Sequence, residues 1–309
     1  MLSERTMKQA FFNRLLHLFN AHPEQGKRMV GLGAKALWEL WQRTAEAERA
    51  KRLRQAQRPG RKRQAGGGRK QDAAVLGRLL VTLIYLRQHW SMQAIAVTLD
   101  CAEATVWNYI HEMLPHLREC LPASLLEQWQ QECPSVERAE LEQCLAELPE
   151  GALLVDSWEQ VIPRPTEEQE EYYSGKQREH TRKNQAIVLP KGVGLVDVVL
   201  GEKGPRSDSK LFEQTQDELA KRLSFIGDNA YVGRCNTTTP YKKPPKGELT
   251  QEQKEFNRDL SQKRVFVEHV IRVIKIFRVA KEEFRMRSRM YELAIGCVCG
   301  LVRLRVQYV

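Results

Sequence analysis

The stretch from Ser224 to Phe284 decides the fold, because it joins a short strand signal to a long helix signal. It opens with SFIGDNAY at positions 224–231, where an apolar pair precedes Gly-Asp-Asn, a pattern that predicts a short buried strand ending in a turn. Further along, RVFVEHVIRVIK at positions 264–275 lies in a run without proline or glycine, which predicts a helix. The strand therefore places Asp228 at its tip, and the helix carries Glu268.

The helix is predicted to span residues 262–280 and to bury one face. Its apolar residues recur at intervals of three and four, and they are Val267, Val270, Ile271, Ile274 and Phe277. At about 100° per residue, the side chains of Arg264, Glu268 and Lys275 project within roughly 40° of one another. One edge of the helix therefore carries a carboxylate between two cations.

Composition limits the class of protein. The chain has 309 residues, 42% of them apolar, which suits about two domains with buried cores. A formal charge of +10 and a pI near 9.3 favour a polyanionic partner such as nucleic acid. The seven cysteines are scattered and form no CxxC pair, which favours reduced thiols over a zinc site or a disulfide framework. We see neither an export signal nor a segment long enough to span a bilayer, and so we expect a cytoplasmic location without a membrane.

Two segments are predicted at the N-terminal end. Residues 1–57 are predicted to be a helical segment, and residues 58–71 a basic, glycine-rich linker. The linker includes Arg61, Lys62 and Arg63. This run is either an arm that follows DNA phosphates or a solvated linker.

Residues 72–149 are predicted to form an all-α helix-turn-helix domain followed by an acidic helical connector. The helices are predicted at 75–87, 92–99 and 103–114, with Ser91 capping the second of them. Asn108 points outward from the third helix, which would fit a major groove. Its outward neighbours are Thr105, Tyr109 and His111, whereas Val106 and Ile110 face inward. A purely architectural bundle has the same spacing, so both interpretations remain open.

Residues 150–309 are predicted to form an α/β domain. Asp156 ends a first apolar strand, strands at 184–189 and 194–200 follow, and a helix at 210–222 leads to the strand that ends at Asp228. Lys242 and Lys243 lie in a proline-stiffened loop that either presses on a DNA phosphate or is ordinary surface.

Three carboxylates, those of Asp156, Asp228 and Glu268, are what a two-metal phosphodiester site requires. Carboxylate oxygens suit Mg²⁺, with Mn²⁺ as a substitute. Two such ions activate the attacking oxygen and stabilise the leaving oxygen. A single acid carries little information, but two that follow apolar strands and a third on an amphipathic helix form a pattern.

Several ordered blocks resemble the DDE transposases of bacterial insertion sequences, in the branch related to Harbinger elements. The first comprises VDSWEQ at 155–160 and YYSGK at 172–176, the second is FIGDNAY at 225–231, and the third runs from 242 to 275. The sequence departs from the family pattern at three serines: Ser157 stands where Gly is common, Ser207 where His is common, and Ser261 where related groups carry Tyr.

The resemblance implies an RNase H-like catalytic domain that cleaves and joins DNA with two divalent ions. Asp156, Asp228 and Glu268 would be the catalytic and metal-binding residues, and Arg264 and Lys275 would assist at DNA phosphates. The implied partners are double-stranded DNA, namely terminal inverted repeats and target, and further copies of the chain in a homodimer or higher multimer. The implied setting is the bacterial cytoplasm, at the nucleoid when the protein is bound to DNA. Two alternatives remain: a catalytically silent, co-opted transposase acting as a DNA-binding regulator, and a host nuclease of the same fold.

Overall fold

The computed structural model describes residues 4–57, 72–137, 152–191 and 194–306, with the single residues Glu140, Gln143 and Leu145. These residues form two compact units. The first contains the described residues up to Leu121, with Ile276–Val279 and the chain from Gly300 onward; the second contains Pro122–Lys275 and Ala280–Cys299. The predicted linker at 58–71 lies outside the described residues, and the domain boundaries drawn from the sequence stay predictions.

The first unit is built from helices. In the described residues they are α1 (Glu4–Ala21), α2 (Pro23–Val30), α3 (Ala34–Ala56), α4 (Asp72–Gln88), α5 (Met92–Leu99) and α6 (Glu103–Cys120). Helix α4 supplies much of the core, because Leu79, Leu80 and Leu83 are fully buried. It packs against α2, α3 and α6, which explains why its sequence is apolar on several faces.

Helices α5 and α6 form the predicted helix-turn-helix. Ser91 caps α5, its Oγ accepting from the Ala94 amide at 3.1 Å, and Asp100 ends that helix in the left-handed region. Val106 and Ile110 of α6 are fully buried, as predicted. The predicted end of α6 at residue 114 is wrong. The helix continues through Pro115 because Leu117 is fully buried in the next turn, and this packing outweighs the hydrogen bond that proline lacks.

The second unit contains a mixed sheet. Its strands are β1 (Leu153–Val161), β2 (Tyr173–Ser174), β3 (Glu179–Val188), β4 (Leu195–Lys203), β5 (Phe225–Ile226) and β6 (Thr237–Thr238). Strand β1 lies between β3 and β5; it is antiparallel to β3 and parallel to β5. Strand β4 borders β3 antiparallel, β6 borders β5 parallel, and β2 pairs with the start of β3.

Helices accompany this sheet. Those of eight or more residues are α7 (Leu125–Glu132), α8 (Asp208–Arg222), α9 (Gln251–Lys275) and α10 (Tyr291–Val306), the last of which continues into the first unit, and a single helical turn lies at Gln169–Tyr172. The core on one face joins Val155, Ile187, Phe212, Phe225 and Tyr231. Phe212 of α8 packs edge-to-face on Phe225 and on Tyr231, which fixes the helix over the centre of the sheet.

The prediction that Asp156 ends its strand is wrong. Strand β1 continues to Val161, because Trp158 and Gln160 extend the alternation of buried side chains and β3 pairs with the strand from Leu154 to its end. Asp156 therefore lies within a strand, opposite Ala186 of β3. The backbone at this position is held by antiparallel pairing with β3, whereas the parallel pairing with β5 ends at Leu154.

The predicted limits of the Glu268 helix also differ from the structure. Helix α9 begins at Gln251, where Thr250 and Gln253 form a reciprocal capping box through bonds of 3.2 and 3.1 Å. It ends at Lys275 instead of continuing to residue 280. The chain turns there because the ring of Phe277 packs against Gly31 within the first unit.

In the part of the chain that the structure describes, no helix is both long enough and apolar enough to cross a membrane.

Candidate active site

Asp156 lies half-buried on the central strand β1. Its Oδ1 accepts a hydrogen bond from the Ser157 amide at 2.8 Å. Burial raises the pKa of Asp156 to about 6; this amide and the charge of Arg264 oppose the rise, and the charges of Asp228 and Glu268 add to it. The carboxylate is thus ionised at pH 8 but titrates much closer to neutrality than an exposed aspartate does.

Asp228 directly follows β5 and Gly227, as the sequence predicted. Phe225 and Ile226 are buried, and parallel pairing aligns them with Leu153 and Leu154 of β1. The Oδ1 atom of Asp228 accepts from the Ala230 amide at 2.8 Å, which caps the 3₁₀ turn Asn229–Tyr231. Its position is therefore set by the sheet on one side and by this turn on the other.

Glu268 projects from α9 beside a buried face. Val267 is fully buried, whereas the Glu268 side chain is 57% exposed. Arg264, one turn earlier, places Nη2 at 3.7 Å from Glu268 Oε1. Lys275, at the end of α9, is half-buried. Its pKa is lowered, mainly because burial disfavours the charged amine, and the charge of Asp156 opposes part of this effect.

These contacts bring the predicted residues into one electrostatic group. Asp228, Glu268 and Arg264 each influence the titration of Asp156, and Asp156 in turn influences that of Lys275. Within the described residues, however, no group of three or more His, Cys, Asp or Glu side chains is arranged to hold a metal ion. The three acids therefore interact electrostatically, but among the described residues their side chains are not arranged as a preformed coordination shell.

A cavity of about 220 Å³ opens along β1 at Ser157–Glu159, and Asp156 is not among its lining residues. Three lysines, Lys176, Lys183 and Lys275, line it together with the carboxylates of Glu159 and Asp208. Its other lining residues are Ser157, Trp158 and Gln177. A cavity with this lining suits a small anionic group better than an apolar one.

The charge of Lys183 is already matched within the cavity wall. Its Nζ lies 2.8 Å from Asp208 Oδ1 and 3.7 Å from Glu159 Oε1, and it donates to the carbonyl of Arg206. Lys176 and Lys275 have no ion-pair partner among the described residues. The cavity therefore presents two cations that remain available to an incoming anion.

No role was predicted from the sequence for Lys176, Lys183 or Tyr231. Lys176 and Tyr231 stood within the family-like blocks, and their place in those blocks was the available signal. Lys183 gave no signal, because the strand was predicted to begin only at residue 184, whereas β3 begins at Glu179 and buries Lys183 to 6% exposure.

The predicted DNA contacts occupy several places. Asn108 is exposed on α6, and Lys242 and Lys243 are exposed on the loop before α9, where Lys243 pairs with Glu248. Arg61, Lys62 and Arg63 lie outside the described residues. The roles of these residues stay predictions.

Comparison with known proteins agrees with this architecture. A family model described as DDE superfamily endonuclease matches residues 155–303, and one described as the helix-turn-helix of DDE superfamily endonuclease matches residues 75–123. The chain belongs to this family of DDE superfamily endonucleases.

The chain is also similar to a protein that is named as a probable transposase. Over 156 residues the chain is 35% identical to the protein named "Probable transposase for insertion sequence element IS702" from Microchaete diplosiphon. The match takes in 49% of this chain and 56% of that protein, so the chain spans just over half the length of this relative. No solved structure matches the chain.

Proposed function

We propose that the chain is a metal-dependent transposase that binds the terminal inverted repeats of its element and cleaves and joins DNA strands. The observation that carries this proposal is the half-buried Asp156 on the central strand, whose pKa responds to Asp228, Glu268 and Arg264 together. Two acids whose charges add to the raised pKa of a third, with Arg264 nearby, form a site in which bound divalent cations would relieve the repulsion.

The strand order supports an RNase H-like description of the second unit. Three antiparallel strands, β1, β3 and β4, are followed by helix α8, and β5 then returns parallel on the other side of β1. This arrangement brings the acid of β1 and the acid that follows β5 to adjacent places. Helix α9 packs against β1 and supplies the third acid.

The donor set fits Mg²⁺ or Mn²⁺, since carboxylate oxygens are the ligands that these ions prefer. Asp156, Asp228 and Glu268 would hold two ions. When bound, such ions polarise the phosphodiester and the attacking water or 3′-hydroxyl. Arg264 lies 3.7 Å from the Glu268 carboxylate on α9, and Asp156 is ionised and able to bind a cation at pH 8.

We further propose that the cavity lined by Lys176 and Lys275 receives a phosphate of the bound DNA, since the charge of Lys275 also interacts with that of Asp156. Lys275 and Lys176 approach it from α9 and from the turn before β3, and both keep an unpaired charge within the described residues. Asn108 on α6 and the lysines at 242 and 243, with the basic linker, would contact DNA elsewhere. Because two element ends must be joined, a homodimer or higher multimer on DNA is expected.

A supercoiled plasmid that carries the two inverted repeats tests the proposed activity. With Mg²⁺ we expect nicks that map to the repeat ends, followed by strand transfer products. Binding to the repeats without nicking in Mg²⁺ or Mn²⁺ would instead identify a co-opted regulator that binds DNA without cleaving it. Nicks at positions unrelated to the repeats would identify a nuclease without specificity for the element ends.

Lys176→Gln is expected to weaken DNA binding about equally for repeat and random DNA, and to lower the slope of log K against log salt by about 1. The reason is that one phosphate contact is lost without any base contact. Lys191→Gln is the matched control, since Lys191 lies in the exposed turn at the other end of β3. Equal salt slopes for the two variants, measured by fluorescence anisotropy, would remove Lys176 from the phosphate site.

A further inference from the structure

The hydroxyl of Tyr231 lies at the centre of a buried polar network behind Asp156. Tyr231 is fully buried, and its hydroxyl is 2.8 Å from Ser157 Oγ and accepts from Gln185 Nε2 at 3.1 Å. Ser157 and Gln185 are cross-strand partners on β1 and β3. The Tyr231 side chain is therefore fastened to the two central strands at the residue next to Asp156.

Tyr231 and Asp228 belong to the same rigid turn. Besides the bond from Ala230 to the Asp228 carboxylate, the Tyr231 amide donates to the Asp228 carbonyl at 3.1 Å. The Tyr231 ring packs so closely on Gly227 that a Cβ there would lie 2.7 Å from the ring. A movement of the Tyr231 ring would therefore be passed directly to Asp228.

Backbone pairing alone stops short of the two acids. Strands β1 and β5 pair through Leu153–Phe225 and Leu154–Ile226, so the parallel register ends two residues before both Asp156 and Asp228. Beyond that point the hydrogen bond between Tyr231 and Ser157 links the segment after β5 to strand β1. Because side chains alternate along a strand, Ser157 and Asp156 point to opposite faces of β1, and Tyr231 acts on Asp156 through the strand.

We propose that Tyr231 is a positioning residue, whose hydroxyl bond to Ser157 sets the separation between the Asp156 and Asp228 carboxylates. This inference rests on the proposed function, in which those carboxylates bind divalent ions together. Two carboxylates share an ion only within a narrow range of separation, so a looser Asp228 turn lowers metal affinity before it affects the fold.

The chain offers a matched control in Tyr291. This tyrosine is also fully buried, and its hydroxyl accepts from Asn184 of β3 at 2.8 Å and donates to Gln160 of β1 at 3.0 Å. It thus makes the same kind of bonds to the same two strands without touching the Asp228 turn. Tyr291→Phe reports the general cost of losing a buried hydroxyl.

The test is a Mn²⁺ titration of the full-length, DNA-free protein at pH 8, with free Mn²⁺ followed by electron paramagnetic resonance. Asp156→Asn first identifies the site, because it should abolish the tightest binding. Tyr231→Phe is expected to weaken that binding about 10-fold, the usual range for a residue that orients a metal ligand, and Tyr291→Phe to change it less than about 2-fold. Ser157→Ala removes the same bond from the other side and should match Tyr231→Phe, with little further loss in the double variant.

Each outcome decides between the two claims. If Asp156→Asn leaves Mn²⁺ binding unchanged, the proposed metal site fails and the inference falls with it. If Asp156→Asn abolishes binding but Tyr231→Phe and Tyr291→Phe bind alike, the metal site stands and the positioning role of Tyr231 is overturned. Should Tyr231→Phe fail to fold, Ser157→Ala decides alone: wild-type affinity in that variant rejects the inference, and a 10-fold loss supports it.

Discussion

Asp156→Asn is expected to abolish Mg²⁺-dependent nicking, with a loss of at least about 1,000-fold, while it makes the metal-free protein more stable at pH 8. Activity falls because the amide keeps the shape of the side chain but loses the negative charge that a divalent ion requires. Stability rises because burial disfavours the ionised carboxylate in the folded state, as the raised pKa of about 6 shows. Nicking assays and thermal unfolding of the same preparation measure the two effects.

The gain in stability should depend on pH in a defined direction. A carboxyl group whose pKa is raised on folding loses its contribution to stability as the pH rises through the folded value. The advantage of Asp156→Asn should therefore be absent well below pH 4, grow mainly between pH 4 and 6, and level off above about pH 7 at up to ~3 kcal/mol.

Asp197→Asn is the matched control for this variant. Asp197 is a buried aspartate on β4, but its carboxylate accepts from the Val198 amide and from Gln216 Nε2, at 2.9 and 3.1 Å. Its amide variant should lower stability by about 1–3 kcal/mol, because the amide nitrogen replaces one of the two accepting oxygens and leaves one donor unpaired, and it should retain nicking. Retained nicking in Asp156→Asn would reject the assignment of that residue.

The sequence predicted those parts of the site that local patterns specify. Asp228 follows a strand of two buried residues, and the turn after it needs a residue that caps, both of which are visible in SFIGDNAY. The apolar stripe of α9 is regular enough to orient Glu268, and Val267, Val270 and Ile274 are buried as expected. The helix-turn-helix was predictable in the same way, because Ser91 and Asp100 are the residues at which α5 begins and ends.

Features that depend on distant partners were not predictable from a single sequence. Strand β1 continues past Asp156 because β3 pairs with it as far as Val161, and the residues of a strand do not by themselves specify its pairing partner. Helix α9 stops at Lys275 because Phe277 packs on Gly31, more than two hundred positions earlier in the chain. The Tyr231 network was missed for the same reason, since its three side chains come from three separate elements.

Lys183→Met is expected to lower the free energy of unfolding by about 3 kcal/mol, although methionine has nearly the same length and is apolar. Lys183 is 6% exposed, and its amine lies between the carboxylates of Asp208 and Glu159. Removing it leaves two partly buried carboxylates facing each other without a counterion, which costs more than the ion pairs themselves contribute. Thermal unfolding and denaturant titration of the variant measure this cost.

Two further variants separate the buried charge from ordinary ion pairing. Lys203→Met removes a lysine from the neighbouring strand β4 that also pairs with two glutamates, Glu168 and Glu171, but lies in solvent at 40% exposure. Its effect should stay below about 1 kcal/mol, because exposed ion pairs contribute little. Adding Asp208→Asn to Lys183→Met should restore part of the lost stability, since one of the uncompensated charges disappears. If the single and double variants are equally unstable, the destabilisation comes from packing in the cavity wall. The inference that Asp208 and Glu159 neutralise the charge of Lys183 would then be wrong.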